Sequence, residues 1–71
     1  MIKFKYVKTI KYSNSIEYYY EGDDGLFKIV ILKKEQNYKL IKASFPLVNI
    51  NIEAKTKQTL LKRINNYFQS Y

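Results

Sequence analysis

The stretch that most constrains this chain is its C-terminal end. From Ala54 to Tyr71 the apolar residues are Leu60, Leu61, Ile64, Tyr67, Phe68 and Tyr71, spaced i, i+1, i+4, i+7, i+8 and i+11. That spacing draws one stripe along an amphipathic helix. An isolated helix of this length is marginal in water, so the stripe has to be covered by another layer. Everything before it reads as strand, so the covering layer is a sheet.

Ile2, Phe4, Tyr6, Ile10 and Tyr12 alternate with Lys3, Lys5, Val7, Thr9 and Lys11, which predicts a long first strand with one apolar face. Lys8 interrupts that face and marks a bulge or bend. Ser13–Ser15 is a polar turn. Ile16, Tyr18 and Tyr20 alternate with Glu17, Tyr19 and Glu21 in a second strand. Asp24-Gly25, with Gly22 nearby, predicts a tight hairpin. Leu26–Lys34 holds Ile29-Val30-Ile31-Leu32, an apolar run suited to the middle of a sheet, and Tyr38–Phe45 is a fourth strand stopped by Pro46. Residues 47–53 read as a short strand or an extended lead-in, with Asn51 capping the helix and Glu53 in its first turn.

The predicted architecture is α+β: one domain over residues 1–71, an antiparallel β-meander of about four strands with one C-terminal amphipathic helix packed on one face. The strands fall within 2–12, 16–21, 26–34 and 38–45, and the helix at about 52–70. Pairing through the two turns puts Ile10 opposite Tyr18, Lys11 opposite Glu17, Tyr20 near Phe27 and Tyr18 near Ile29. The face toward the helix is then Ile2, Phe4, Tyr6, Ile10, Ile16, Tyr18, Tyr20, Phe27, Ile29 and Ile31. For the fourth strand, either Leu40 or Ile41 points inward. The architecture is similar to the N-terminal arm-binding domains of phage-type integrases and to small single-strand binders of the transcriptional-coactivator kind, a likeness of layout that implies fold alone.

One helix covers one side of a sheet. The other side should be open, and it carries apolar residues among charges. Lys3, Lys5, Val7, Lys11, Tyr19, Lys28, Val30, Leu32 and Lys34 are therefore the candidate partner-binding residues, with Leu26 beside them. A second copy of the chain, or the 46–53 segment, is the alternative cover for this face.

Composition narrows the chemistry. The chain has no cysteine and no histidine, which removes disulfides, zinc sites of the Cys/His kind, and the commonest general base and thiol nucleophile. Both glycines lie in the second turn, so there is no glycine-rich phosphate loop. Glu21, Asp23 and Asp24 could chelate a cation, but turn chemistry alone explains them. No catalytic residue, cofactor or metal is expected. Without an apolar run after the N-terminus or a membrane-length span, the chain reads as soluble and cytoplasmic.

The net charge is +7, yet twelve of the thirteen basic residues are lysine. Lys, Ile, Asn and Tyr supply 35 of 71 residues, a skew that follows A/T-rich codons. Arginine is the better reader of phosphate and guanine, and only Arg63 is present. The expected function is a small non-catalytic binding protein. It would dock on a larger protein or nucleoprotein through the open sheet face, in the manner of phage or mobile-element accessory proteins and inhibitors, anti-CRISPR proteins among them. The alternative is lysine-mediated, sequence-tolerant binding of DNA or RNA.

Overall fold

Alternating apolar residues in the first part of the chain build four antiparallel strands, a short fifth strand joins them just before the helix, and the helical stripe closes one side. In the computed structural model the described residues are 3–23, 25–44 and 51–69. The elements are β1 (Lys5–Lys11), β2 (Ile16–Glu21), β3 (Lys28–Lys34), β4 (Asn37–Ala43), β5 (Glu53–Ala54) and α1 (Lys57–Gln69). They form one sheet in the order β1-β2-β3-β4-β5, each strand beside its neighbour in sequence.

The apolar run of β3 takes the central place, as expected for residues that need cover on both sides. Ile29 and Ile31 are buried against Leu60 and Ile64 of α1, and Ile31, Leu60 and Ile64 are fully inaccessible. Leu40 joins this core and Ile41 does not, which decides the side of β4. Phe27 bridges the layers: its ring meets Phe68 edge-on at 4.8 Å and Phe4 at 5.9 Å. The helix lies nearest β4 and β5. Tyr6, on the same side at the far edge, stays 54 % exposed although it stacks edge-on with Tyr20 at 5.9 Å.

Two bulges correct the sequence reading. In β1, Tyr6 pairs with Tyr20 but Lys8 pairs with Tyr19, so Val7 is an extra residue. One extra residue reverses the face of everything after it. Thr9 therefore takes the helix side opposite Tyr18, and its Oγ1 lies 2.6 Å from the Tyr6 hydroxyl. Ile10 moves to the open face opposite Glu17, and Lys11 moves to the helix side opposite Ile16. The second bulge places Ile41 as the extra residue between the pairs Val30↔Lys42 and Ile31↔Leu40.

The β2–β3 register also departs from expectation. Tyr20 pairs with Ile29, Tyr18 with Ile31 and Ile16 with Lys33, two residues along from the tight-hairpin register. The connection is a longer loop, closed by Gly22 N–H to Phe27 O at 2.6 Å and Gly25 N–H to Gly22 O at 2.9 Å. Gly25 has φ +73°, a left-handed backbone that glycine adopts without steric cost. A shift of two residues keeps every side chain on its predicted face. Ile2, Asp24, Phe45, Pro46 and Tyr71 lie outside the described residues, as do positions 47–50 of the ambiguous segment.

The helix starts later than predicted. Glu53 and Ala54 pair with Lys39 and Tyr38 as β5, so Glu53 is a strand residue, not part of the first helical turn. The cap is Thr56, whose Oγ1 accepts the Thr59 N–H at 3.1 Å, while Asn51 lies before β5. Leu60, Leu61, Ile64, Tyr67 and Phe68 form the buried or half-buried stripe, joined by the buried Asn65.

A 71-residue domain at about 0.05–0.15 kcal/mol per residue holds only about 4–10 kcal/mol in total. Ile64→Ala, which removes a fully buried side chain, should cost about 2–5 kcal/mol. Urea unfolding should show a midpoint lowered in proportion to that loss; a shift worth under about 1 kcal/mol would place Ile64 outside the core. In the two-residue β3–β4 hairpin, Glu35 has φ +58°, a conformation costly for a residue with a Cβ. Glu35→Gly should raise stability by about 0.5–1 kcal/mol in the same assay.

Candidate functional site

Cross-strand partners share a face, so the register alone states what the side away from α1 carries. Lys5, Glu21 and Lys28 form one row across the sheet; Lys8, Tyr19, Val30 and Lys42 form the next; Ile10, Glu17, Leu32 and Lys39 the third. Lys34 continues the alternation of β3, and Glu53 pairs with Lys39. The strands thus set six lysines against three glutamates around Tyr19, Val30 and Leu32. Among the described residues no other element lies over this face.

Of the residues singled out from sequence, Lys5, Tyr19, Lys28, Val30, Leu32 and Lys34 share this face. Val7 stands at the bulge, 49 % exposed, and Lys3 is exposed just before β1. Lys11 does not belong, because the bulge turns it to the helix side. Nor is the face a broad exposed apolar patch. Val30 is only 9 % exposed and Leu32 is half-buried, whereas Leu26, at 79 %, projects from the loop before β3.

Lys8, Ile10, Lys39 and Lys42 were missed, and the sequence held signals for them. Lys8 interrupts the alternation of β1. Lys39 and Lys42 are three apart, a spacing that shares a strand face only if an extra residue intervenes. Ser44 was missed as well. Its Oγ accepts the Lys28 N–H at 2.6 Å and donates to Leu26 O at 3.0 Å, tying the end of β4 to the start of β3.

The two bulges flank Val30 at one level of the sheet. A bulge bends its strand and sharpens the local twist. Between them lies a shallow depression of about 460 Å³, with Val7, Tyr19 and Val30 in its lining and Lys8, Glu21, Lys28 and Lys42 around it. Lysine stems can cover apolar surface while their ammonium groups stay in water, which suits a nearly buried Val30 at this position.

Beside the depression, Glu17 organises two tyrosines. Its Oε1 accepts the Tyr12 hydroxyl at 3.0 Å and the Tyr19 hydroxyl at 2.9 Å. The Lys8 ammonium stands 4.8 Å from the Tyr19 ring centroid. Both tyrosine pKa values are raised above the ordinary 10, first because the hydroxyls donate to Glu17, then through desolvation and the carboxylate's charge. On the helix side, Lys57 lies 4.1 Å from the Tyr18 ring and Lys33 5.5 Å from the Tyr38 ring. Arg63 Nη1 donates to Glu53 O at 2.6 Å, so the single guanidinium braces β5 against the helix.

Among the described residues no group of three or more His, Cys, Asp or Glu is placed to hold a metal ion. None of their helices is long and apolar enough to cross a membrane.

The Glu17 cluster has a titration signature. A tyrosine whose folded pKa is raised adds stability that is present at neutral pH and lost as pH rises through the raised value, above 10. In Glu17→Gln the ultraviolet titration of Tyr12 and Tyr19 should fall back toward the ordinary range, and alkaline unfolding should start at lower pH. Unchanged tyrosine titration would show that Glu17 does not hold these protons.

Comparison with known proteins adds no function: no family model, no curated protein and no solved structure matches the chain.

Proposed function

We propose that this protein is a small, cytoplasmic, non-catalytic binding module that docks on a larger protein or nucleoprotein through its open sheet face. The observation that carries this reading is the composition of that face: lysines and glutamates interspersed around a partly apolar depression, opposite the side closed by α1. Mixed charge around an apolar centre suits a protein surface, where apolar contact supplies affinity and charge supplies orientation. Six lysines against three glutamates favour a partner surface of acidic character. A role as an inhibitor or accessory factor of the phage or mobile-element type fits a domain this small and this simple.

The lysine count also favours a second reading, sequence-tolerant nucleic-acid binding. Lys8, Lys39 and Lys42 join Lys5, Lys28 and Lys34 on the face. Two features weigh against it. Glu17 and Glu21 stand among the lysines, and Tyr19 has Lys8 over its ring and its hydroxyl committed to Glu17, which leaves a poor stacking platform.

Fluorescence anisotropy of labelled single-stranded DNA, duplex DNA and RNA at two salt concentrations separates the two. The docking reading expects binding only at low salt, the generic attraction of a protein of charge +7. Micromolar binding that persists near physiological salt, and that Lys28→Glu with Lys42→Glu reduces at least tenfold, would establish the nucleic-acid reading instead.

A further inference from the structure

The depression on the open face is more specific than the charge around it. Its place follows from the bulges at Val7 and Ile41, which fall on either side of the Tyr19↔Val30 pair and coil the sheet at that level. Its lining joins Val7 and Val30 to three lysines and one glutamate, Glu21. A uniformly solvated lysine face has no need of an apolar hollow. At about 460 Å³ and open to solvent, the hollow has room for a side chain of leucine size.

We infer that the depression over Val30 receives one aliphatic side chain of an acidic peptide segment on the partner, with Lys8, Lys28 and Lys42 meeting the carboxylates that flank it. The inference rests on the protein-docking reading and names its chemistry. Three lysines against the one carboxylate of Glu21 leave the lining net positive, and charge complementarity selects an acidic segment. The Val7 and Val30 lining selects an aliphatic anchor, because carbon buried against carbon gains free energy in proportion to the area removed from water. A nucleobase is disfavoured, since the Tyr19 ring in the lining has Lys8 over it and is tethered through its hydroxyl.

The test is amide chemical-shift mapping of the whole chain at near-physiological salt. Three probes are used: a short peptide of Glu and Asp with one central leucine, the same peptide with central alanine, and an oligo-dT of similar charge. The leucine peptide should perturb the amides of Val7, Lys8, Val30 and Lys42 and bind about tenfold tighter than the alanine peptide. In Val7→Asp, a change at an exposed position whose folding is checked in the same spectra, that preference should vanish. Equal binding of both peptides to the face would overturn the anchor while leaving the docking reading in place. Binding of neither peptide would overturn the anchor as well. If the oligo-dT then perturbed the same amides at this salt, the docking reading would fall with it.

Discussion

The structure depends on one small buried cluster that the middle of β3 shares with β4, β5 and the middle of α1. Ile29 and Ile31 meet Leu60 and Ile64 in a core with little redundancy. A chain of this size buries only about 60 % of the surface its unfolded form exposes, so a few fully buried side chains carry most of the hydrophobic stabilisation. Aromatic rings extend that contact along the sheet. Phe68, Phe27 and Phe4 link the end of the helix to the residue before β1, and Tyr20 passes the packing on to Tyr6. Because α1 lies over β4 and β5, burial on its side fades toward β1, where Tyr6 is half exposed.

The same asymmetry gives the molecule its second face. With its one helix spent on one side, the described part of the chain has nothing to lay over the other. What makes that face chemically distinct is a pair of local irregularities. Without the extra residue at position 7, Lys8 would point toward the helix and Lys11 toward the open side; with it they exchange places. The bulge at Ile41 lets Leu40 and Ala43 pack toward the core while Lys39 and Lys42 stand together on the outside. The bulge at Ile41 keeps Lys42 off the helix side, whereas the one at Val7 exchanges Lys8 for Lys11 there. Together they bend the sheet around Val30.

Much of the fold was legible because it follows from periodicity. The 3.6-residue stripe located the helix, and alternation in β2 and β3 put Tyr18, Tyr20, Ile29 and Ile31 on one face. That face assignment survived a register error of two residues because a shift of two preserves parity. Position-specific features were less legible. The alternation of β1 looked continuous through Ile10 and Tyr12, so the bulge signalled by Lys8 was read without the reversal it brings. Glu53 looked like a first-turn helix residue because its charge suits that place, but its backbone pairs with Lys39 and Thr56 supplies the cap.

By itself, the sequence determined the α+β class, the identity of the covering helix, the central place of β3, and the absence of cysteine and histidine chemistry. These follow from residue type and spacing, which act locally. Tertiary structure alone decided which lysines share the open face, that Val30 lies nearly buried in a hollow and not on an exposed patch, and that Glu17 gathers Tyr12 and Tyr19. The physical reason is that a strand's register is set by its neighbours. One inserted residue costs little locally, yet it reverses every side chain beyond it, and only pairing across the sheet reveals where it was inserted.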